Sequence, residues 1–241
     1  SIHYCMNPKS TTRISPSHRR RRLLVGIVPP FLWLLLSSVP IVSVRAMTSY
    51  SPKERLVYGK DDALSGSIEP AQVDRPMWNI VDAGTGMPSL RWMATLSEMG
   101  MTQFTAITAD KNMQRNVQQE ADALEVSHLG NIVIGNWFGD APIQLEEQSF
   151  DTILADYLIG AMDGFSPHQQ DQIIPKLVQC LKPGGRLYIV GLQPLPDTAP
   201  TAEATIICRI RQVRDACILL AGHRCYREYP VDWMQRQIED H

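Results

Sequence analysis

Cysteine is scarce in this chain. There are five in 241 residues (Cys5, Cys180, Cys208, Cys217 and Cys225), with no Cys-x-x-Cys pair and no spacing that suits zinc. Function therefore does not rest on a metal ribbon or a dithiol redox motif. Cys180 and Cys208, in apolar helical contexts, read as buried thiols. Basic charge is also scarce once the first 46 residues are set apart. Those hold seven Lys and Arg and no Asp or Glu, leaving sixteen basic against twenty-five acidic residues, about −9. A chain of that sign matches a phosphate backbone poorly, which argues against a nucleic acid partner. No internal repeat or low-complexity tract is evident.

What the chain does have is concentrated at 78–89 (WNIVDAGTGMPS). A buried-strand pattern ends in a carboxylate, breaks into a glycine-rich turn and starts a helix that runs from Ser89 to Met99, stopped by Gly100. Glycine is the residue for a sharp turn, or for a backbone that a ligand must approach without a Cβ in the way. A strand, glycine turn and helix at the carboxyl edge of a parallel sheet is where open α/β folds bind nucleotides and nucleosides. Four more strand patterns follow: 103–110 (QFTAITAD), 131–138 (NIVIGNWF), 150–157 (FDTILADY) and the part of 181–191 (LKPGGRLYIVG) after its Pro-Gly-Gly turn. Their alternation with helical segments predicts βα units: an α/β fold with a doubly wound, mostly parallel sheet.

With these residues in place, 78–191 resembles the class I S-adenosylmethionine-dependent methyltransferases, especially the type 11 group. The combination of DAGTG, FDTIL and LKPGGRL carries the resemblance. It implies a Rossmann-like fold with S-adenosylmethionine as cofactor. It also implies that Asp82, Gly84 and Gly86 cradle the methionine and ribose parts and that Asp110 holds the ribose hydroxyls. Asn136 would accept from the adenine amino group, and Trp137 would pack on the adenine face. One departure is that the family's third glycine is replaced within Met87-Pro88-Ser89. Proline fixes φ and removes a donor, but it is tolerated in a first helical turn, so the change reads as a modified helix start. As structural alternatives, Asp110 can be a helix-start residue, Asn136 a turn residue and Trp137 a core aromatic.

A methyl transfer needs its nucleophile positioned, and a general base only for some acceptors. The base candidates are Asp156 and Tyr157 at the end of the fourth strand, with Asp163 and His168 beyond it. No Asn/Asp-Pro-Pro-Tyr motif follows that strand, so methylation of nucleobase or glutamine amino groups is not expected. The expected acceptor is a small molecule or a lipid-like one. Two other readings compete: an NAD-dependent Rossmann dehydrogenase, whose Gly-x-Gly-x-x-Gly is spoiled by Ser89, and an inactive cofactor-binding partner protein.

Three segments divide the chain: 1–46, 47–77 and 78–241. In the first, His18 and Arg19 to Arg22 precede an uncharged stretch from Leu23 to Val44, and Val44-Arg45-Ala46 resembles a signal-peptidase site. A basic region, an apolar core and small residues describe a secretory or organelle-directing leader. The stretch is also long enough for a membrane anchor. Alternatively it is an upstream extension of a cytoplasmic protein starting at Met47. Segment 47–77 is polar, with scattered Pro, Gly and Asp, and reads as an arm over the cofactor site or a linker.

Further helices are expected at 112–124, at 166–181 (Ser166 as N-cap, Pro167 first, a kink at Pro175) and at 205–220. In the last, Ile206, Ile210, Val213 and Cys217 form the apolar stripe. A final amphipathic helix opens at 229–233. The resemblance would continue it into two more strands, so the sequence reads as cut short, with the edge of the fifth strand bare.

Overall fold

The computed structural model describes residues 22–28, 78–97 and 100–239. Segment 47–77 and most of the leader lie outside the described residues. In chain order the elements are β1 (Arg22–Val28), β2 (Asn79–Asp82), α1 (Met87–Ser97), β3 (Gln103–Thr108), α2 (Lys111–Ala123), β4 (Gly130–Ile134), β5 (Phe150–Asp156), α3 (Leu158–Phe165), α4 (Gln170–Cys180), β6 (Leu181–Leu192), α5 (Ala202–Leu220) and α6 (Val231–Glu239).

The strands form one sheet in the order β1-β6-β5-β2-β3-β4, and every pairing is parallel. The inner strands of a parallel sheet are covered on both faces, so they carry near-continuous apolar runs instead of alternating. Successive residues show this: Ile80 and Leu154 face one core with Leu90, Trp92 and Val117, while Val81 and Ile153 face another with Ile159, Ile173 and Leu177. Helices α1 and α2 therefore cover one face, and α3, α4 and α6 the other. An ion pair of 2.8 Å from Arg91 to Glu120 ties α1 to α2. This is the doubly wound α/β fold that the sequence predicts. Strand order reverses between β2 and β5, and such folds bind ligands at that point.

Four expectations are corrected. The α1 helix starts at Met87, not Ser89, with Pro88 inside its first turn, where the amide N–H groups have no helical acceptor anyway. Ser166 and Pro167 do not open a helix. Ser166 closes α3 by donating its N–H to Met162 O (2.7 Å), and α4 begins only at Gln170. Proline shortly after a helix end is as natural as proline at a start. The apolar stripe of α5 is solvent-facing, since Ile206, Ile210 and Val213 are each more than half exposed and Cys208 is the buried residue of that helix. Finally, the edge of β6 is not bare. Strand β1 pairs along it, Arg22 with Arg186 through Val28 with Leu192. Among the described residues, no helix is long and apolar enough to cross a membrane.

Candidate active site

The turn after β2 is fixed by its neighbours. Ala83 N–H donates to Leu154 O (2.8 Å) and Thr85 N–H to Ile107 O (2.7 Å), which suspends the turn between β5 and β3. A Cβ on Gly84 would lie 3.1 Å from Leu158 Cδ1, so the first residue of α3 packs directly on the glycine. Gly86 caps α1: Leu90 N–H donates to its carbonyl (3.1 Å), while Ser89 Oγ both accepts from Gly86 N–H and donates to Gly86 O (each 3.0 Å). This resembles a capping box with serine in the acidic position.

Beneath the turn sits Asp82, fully buried. Burial pushes its carboxyl up to about 6, and the nearby Ser89, Thr85 and Gly84 N–H oppose that rise. None of them closes a hydrogen bond of ordinary geometry with either oxygen. An unpaired buried carboxylate is costly, and a raised pKa is the expected response.

Above the turn opens a cleft of about 620 Å³, part of it open to solvent. The turn contributes Gly84 and Thr85; the end of β3 contributes Thr108 and Asp110; the β4 loop contributes Gly135, Asn136 and Trp137. One face of α3 adds Leu158, Ala161, Met162 and Phe165, and Tyr226 closes the rim. Asp110 is exposed there and N-caps α2, its Oδ1 accepting from Met113 N–H at 2.7 Å. Asn136 bridges to the end of α3, with Nδ2 donating to Phe165 O and Oδ1 accepting from Ser166 Oγ (each 2.6 Å). Trp137 is buried, and its indole N–H donates to Ala83 O (2.7 Å). Lys176 Nζ donates to the Trp137 carbonyl (2.8 Å) and lies 5.1 Å from the centre of the Phe138 ring, so the loop is held from both sides.

The cleft thus brings together Gly84, Asp110, Asn136 and Trp137. Asp82 and Gly86 stay behind the turn, where they shape it. Asp156 and Tyr157 end β5 and lead into α3, and neither lines the cleft. Tyr157 adopts a left-handed conformation (φ 52°) and packs against the core on the α1 side. Asp163 is buried on α3 against Arg224, and His168, also at positive φ, falls between helices. The sequence reading missed Thr85, Thr108, Phe165 and Tyr226. The two threonines lie inside recognised motifs, whereas the two aromatics carry no local signal.

Residues 81–189 match the methyltransferase domain family, from Val81 in β2 to Ile189 in β6, and so span all five strands β2 to β6. No curated protein matches the chain in sequence. Among solved structures, the cyclase SpnF is 19% identical over 61% of this chain and 56% of its own, with a TM-score of 0.43. An O-methyltransferase family 2 protein from Planctomyces limnophilus, solved with apigenin, is 16% identical over 67% and 44%, with a TM-score of 0.45. The YcgJ protein of Bacillus subtilis is 18% identical over 68% and 60%, with a TM-score of 0.46. The chain spans less than two thirds of each of these. Residues 81–189 are thus similar to the methyltransferase domain family.

Proposed function

We propose that this protein transfers a methyl group from S-adenosylmethionine to a small-molecule or lipid-like acceptor. The observation that carries the reading is the cleft itself. It lies at the carboxyl ends of β2, β3 and β4, has the glycine turn as one wall, and gathers Gly84, Asp110, Asn136 and Trp137 from the loops after three separate strands. The residues present fit such a cofactor. Gly84 lines the cleft where the methionine part would lie, and the exposed Asp110 offers carboxylate to the ribose hydroxyls. Asn136 Oδ1 already accepts from Ser166, but an amide oxygen has two lone pairs and retains one for an adenine amino group. When bound, the cofactor would supply an electrophilic methyl on its sulfonium.

The chain's own part is to orient and to exclude water. Trp137, Leu158 and Met162 are buried apolar walls that keep solvent from a reacting pair. Holding nucleophile and methyl in line lowers the barrier without any proton transfer. An acceptor hydroxyl would additionally need a base. Asp156 and Tyr157 remain the proposed groups, reached by an acceptor lying past the cleft wall at the end of β5. Their absence from that wall favours, as a second reading, a protein that binds the cofactor without catalysis.

The excess of acidic residues supports a small acceptor over a nucleic acid. Any membrane association would come through the leader. The deciding experiment is calorimetry of the full chain with S-adenosylmethionine and with NAD. Binding of the first alone is expected, and binding of NAD alone would overturn the assignment. Transfer of labelled methyl to a metabolite panel then separates an enzyme from a silent binder.

A further inference from the structure

The segment 224–228 crosses α3 on a flank made by two glycines, Gly160 and Gly164, one turn apart. A Cβ on Gly160 would lie 2.5 Å from Glu228 Oε1, and one on Gly164 would lie 3.1 Å from Tyr226 Cε1. The strap therefore rests directly on the helix backbone. It is anchored on both sides of Tyr226. Arg224 Nε donates to Asp163 O (2.9 Å), and Arg224 Nη2 reaches the buried Asp163 Oδ1 (3.3 Å). Cys225 is buried, with its thiol toward Asp215 O (3.3 Å). Arg227 N–H points to Gly160 O at 3.4 Å, and Glu228 Oε2 accepts from Leu192 N–H at 3.5 Å.

Between these anchors, Tyr226 is 57% exposed and lines the cleft, as does Phe165, 41% exposed at the end of α3. The two aromatics thus stand exposed at one cleft mouth. Because the strap is already ordered, packing a flat ligand on these rings costs little further conformational entropy. Asn136, which is placed to meet an adenine edge, is bonded to Phe165 O and so lies beside them.

We infer that Tyr226 and Phe165 form the outer wall of the site and stack on the planar base of the bound nucleoside cofactor. The strap delivers Tyr226 to that position. This rests on the S-adenosylmethionine reading above.

The test is calorimetric titration of S-adenosylhomocysteine into the full chain and its variants, with melting followed in parallel. Tyr226→Ala should bind about tenfold more weakly, the scale of one base–aromatic stack, with an unchanged melting midpoint. Tyr226→Phe should bind within about twofold of wild type, because the ring and not the hydroxyl does the stacking. Tyr226→Ala binding as wild type, or Tyr226→Phe losing as much as Tyr226→Ala, overturns the inference and leaves the cofactor reading intact. A wild-type chain that does not bind S-adenosylhomocysteine overturns both. Should Tyr226→Ala fail to fold, Phe165→Leu decides the matter: a similar loss supports the wall, and unchanged affinity overturns it.

Discussion

At the scale of single residues, Asp110 shows how one carboxylate can serve two purposes. One oxygen caps α2, and the residue also stands exposed at the rim of the cleft. Two substitutions separate these roles. Asp110→Asn keeps an N-cap of nearly equal quality and removes the charge, whereas Asp110→Ala removes both. The alanine variant should lose roughly 0.5–2 kcal/mol of stability through the missing cap, and the asparagine variant much less. Both should bind S-adenosylmethionine more weakly, since charge-assisted hydrogen bonds contribute about 1.5–3 kcal/mol each. Wild-type affinity in a folded Asp110→Asn would end the ribose assignment and leave only the cap.

Asp82 gives a second residue-scale prediction, with a sign that can be worked out. Its folded pKa of about 6 lies above the ordinary 3.8. The folded state therefore binds the proton more tightly, and stability from this group falls as pH rises from about 4 to 6. Above that window the burial penalty is fully present, on the order of 3 kcal/mol. Asp82→Asn removes the ionisation. Denaturant melts should therefore show the variant gaining on wild type from pH 4 to pH 6.5 and holding a constant advantage above. A difference that does not change with pH would mean that Asp82 is charged at no cost, contrary to its burial.

At the scale of elements, the strands were legible because a parallel sheet buries both faces and leaves continuous apolar runs such as 153–155 and 187–190 in the chain. The glycine turn was legible as a Gly-x-Gly set between a strand pattern and a helix pattern, and the structure needs Gly84 because Leu158 packs directly on it. The Ser166-Pro167 pair misled because the same dipeptide can finish a helix or begin one, and only the partner of the Ser166 N–H decides which. The α5 stripe misled differently. Periodicity establishes a helix, but which face meets the protein depends on elements far away in sequence. Tyr226 was invisible for the same reason, because its role depends on two glycines some sixty residues earlier. The exposed stripe makes its own prediction. Ile210→Glu, at a position 58% exposed, should change stability by no more than about 0.5 kcal/mol, as surface substitutions do. A loss of several kcal/mol in a urea melt would show that this face is covered in solution.

At the scale of the whole molecule, the point at issue is the edge of the sheet. Strand β6 is central only because β1 lies beside it, and β1 falls in the stretch that reads by composition as part of a leader. A leader that is removed and a strand in the sheet are incompatible fates for residues 22–28, so the segment 47–241 distinguishes them. Without β1, seven residues of β6, Arg186 to Leu192, lose their parallel partner. At about 0.5–1.5 kcal/mol per hydrogen bond, the loss comes to several kcal/mol. That corresponds to a fall in melting midpoint on the order of 10 °C for a domain of this size. A long unpaired apolar edge also templates pairing with other chains, so the shortened protein should self-associate as its concentration rises. Both effects are measurable side by side by calorimetry and light scattering on the full chain and on 47–241. Equal midpoints and a monomeric 47–241 would show that β1 contributes nothing to the sheet and that 1–46 is dispensable for folding.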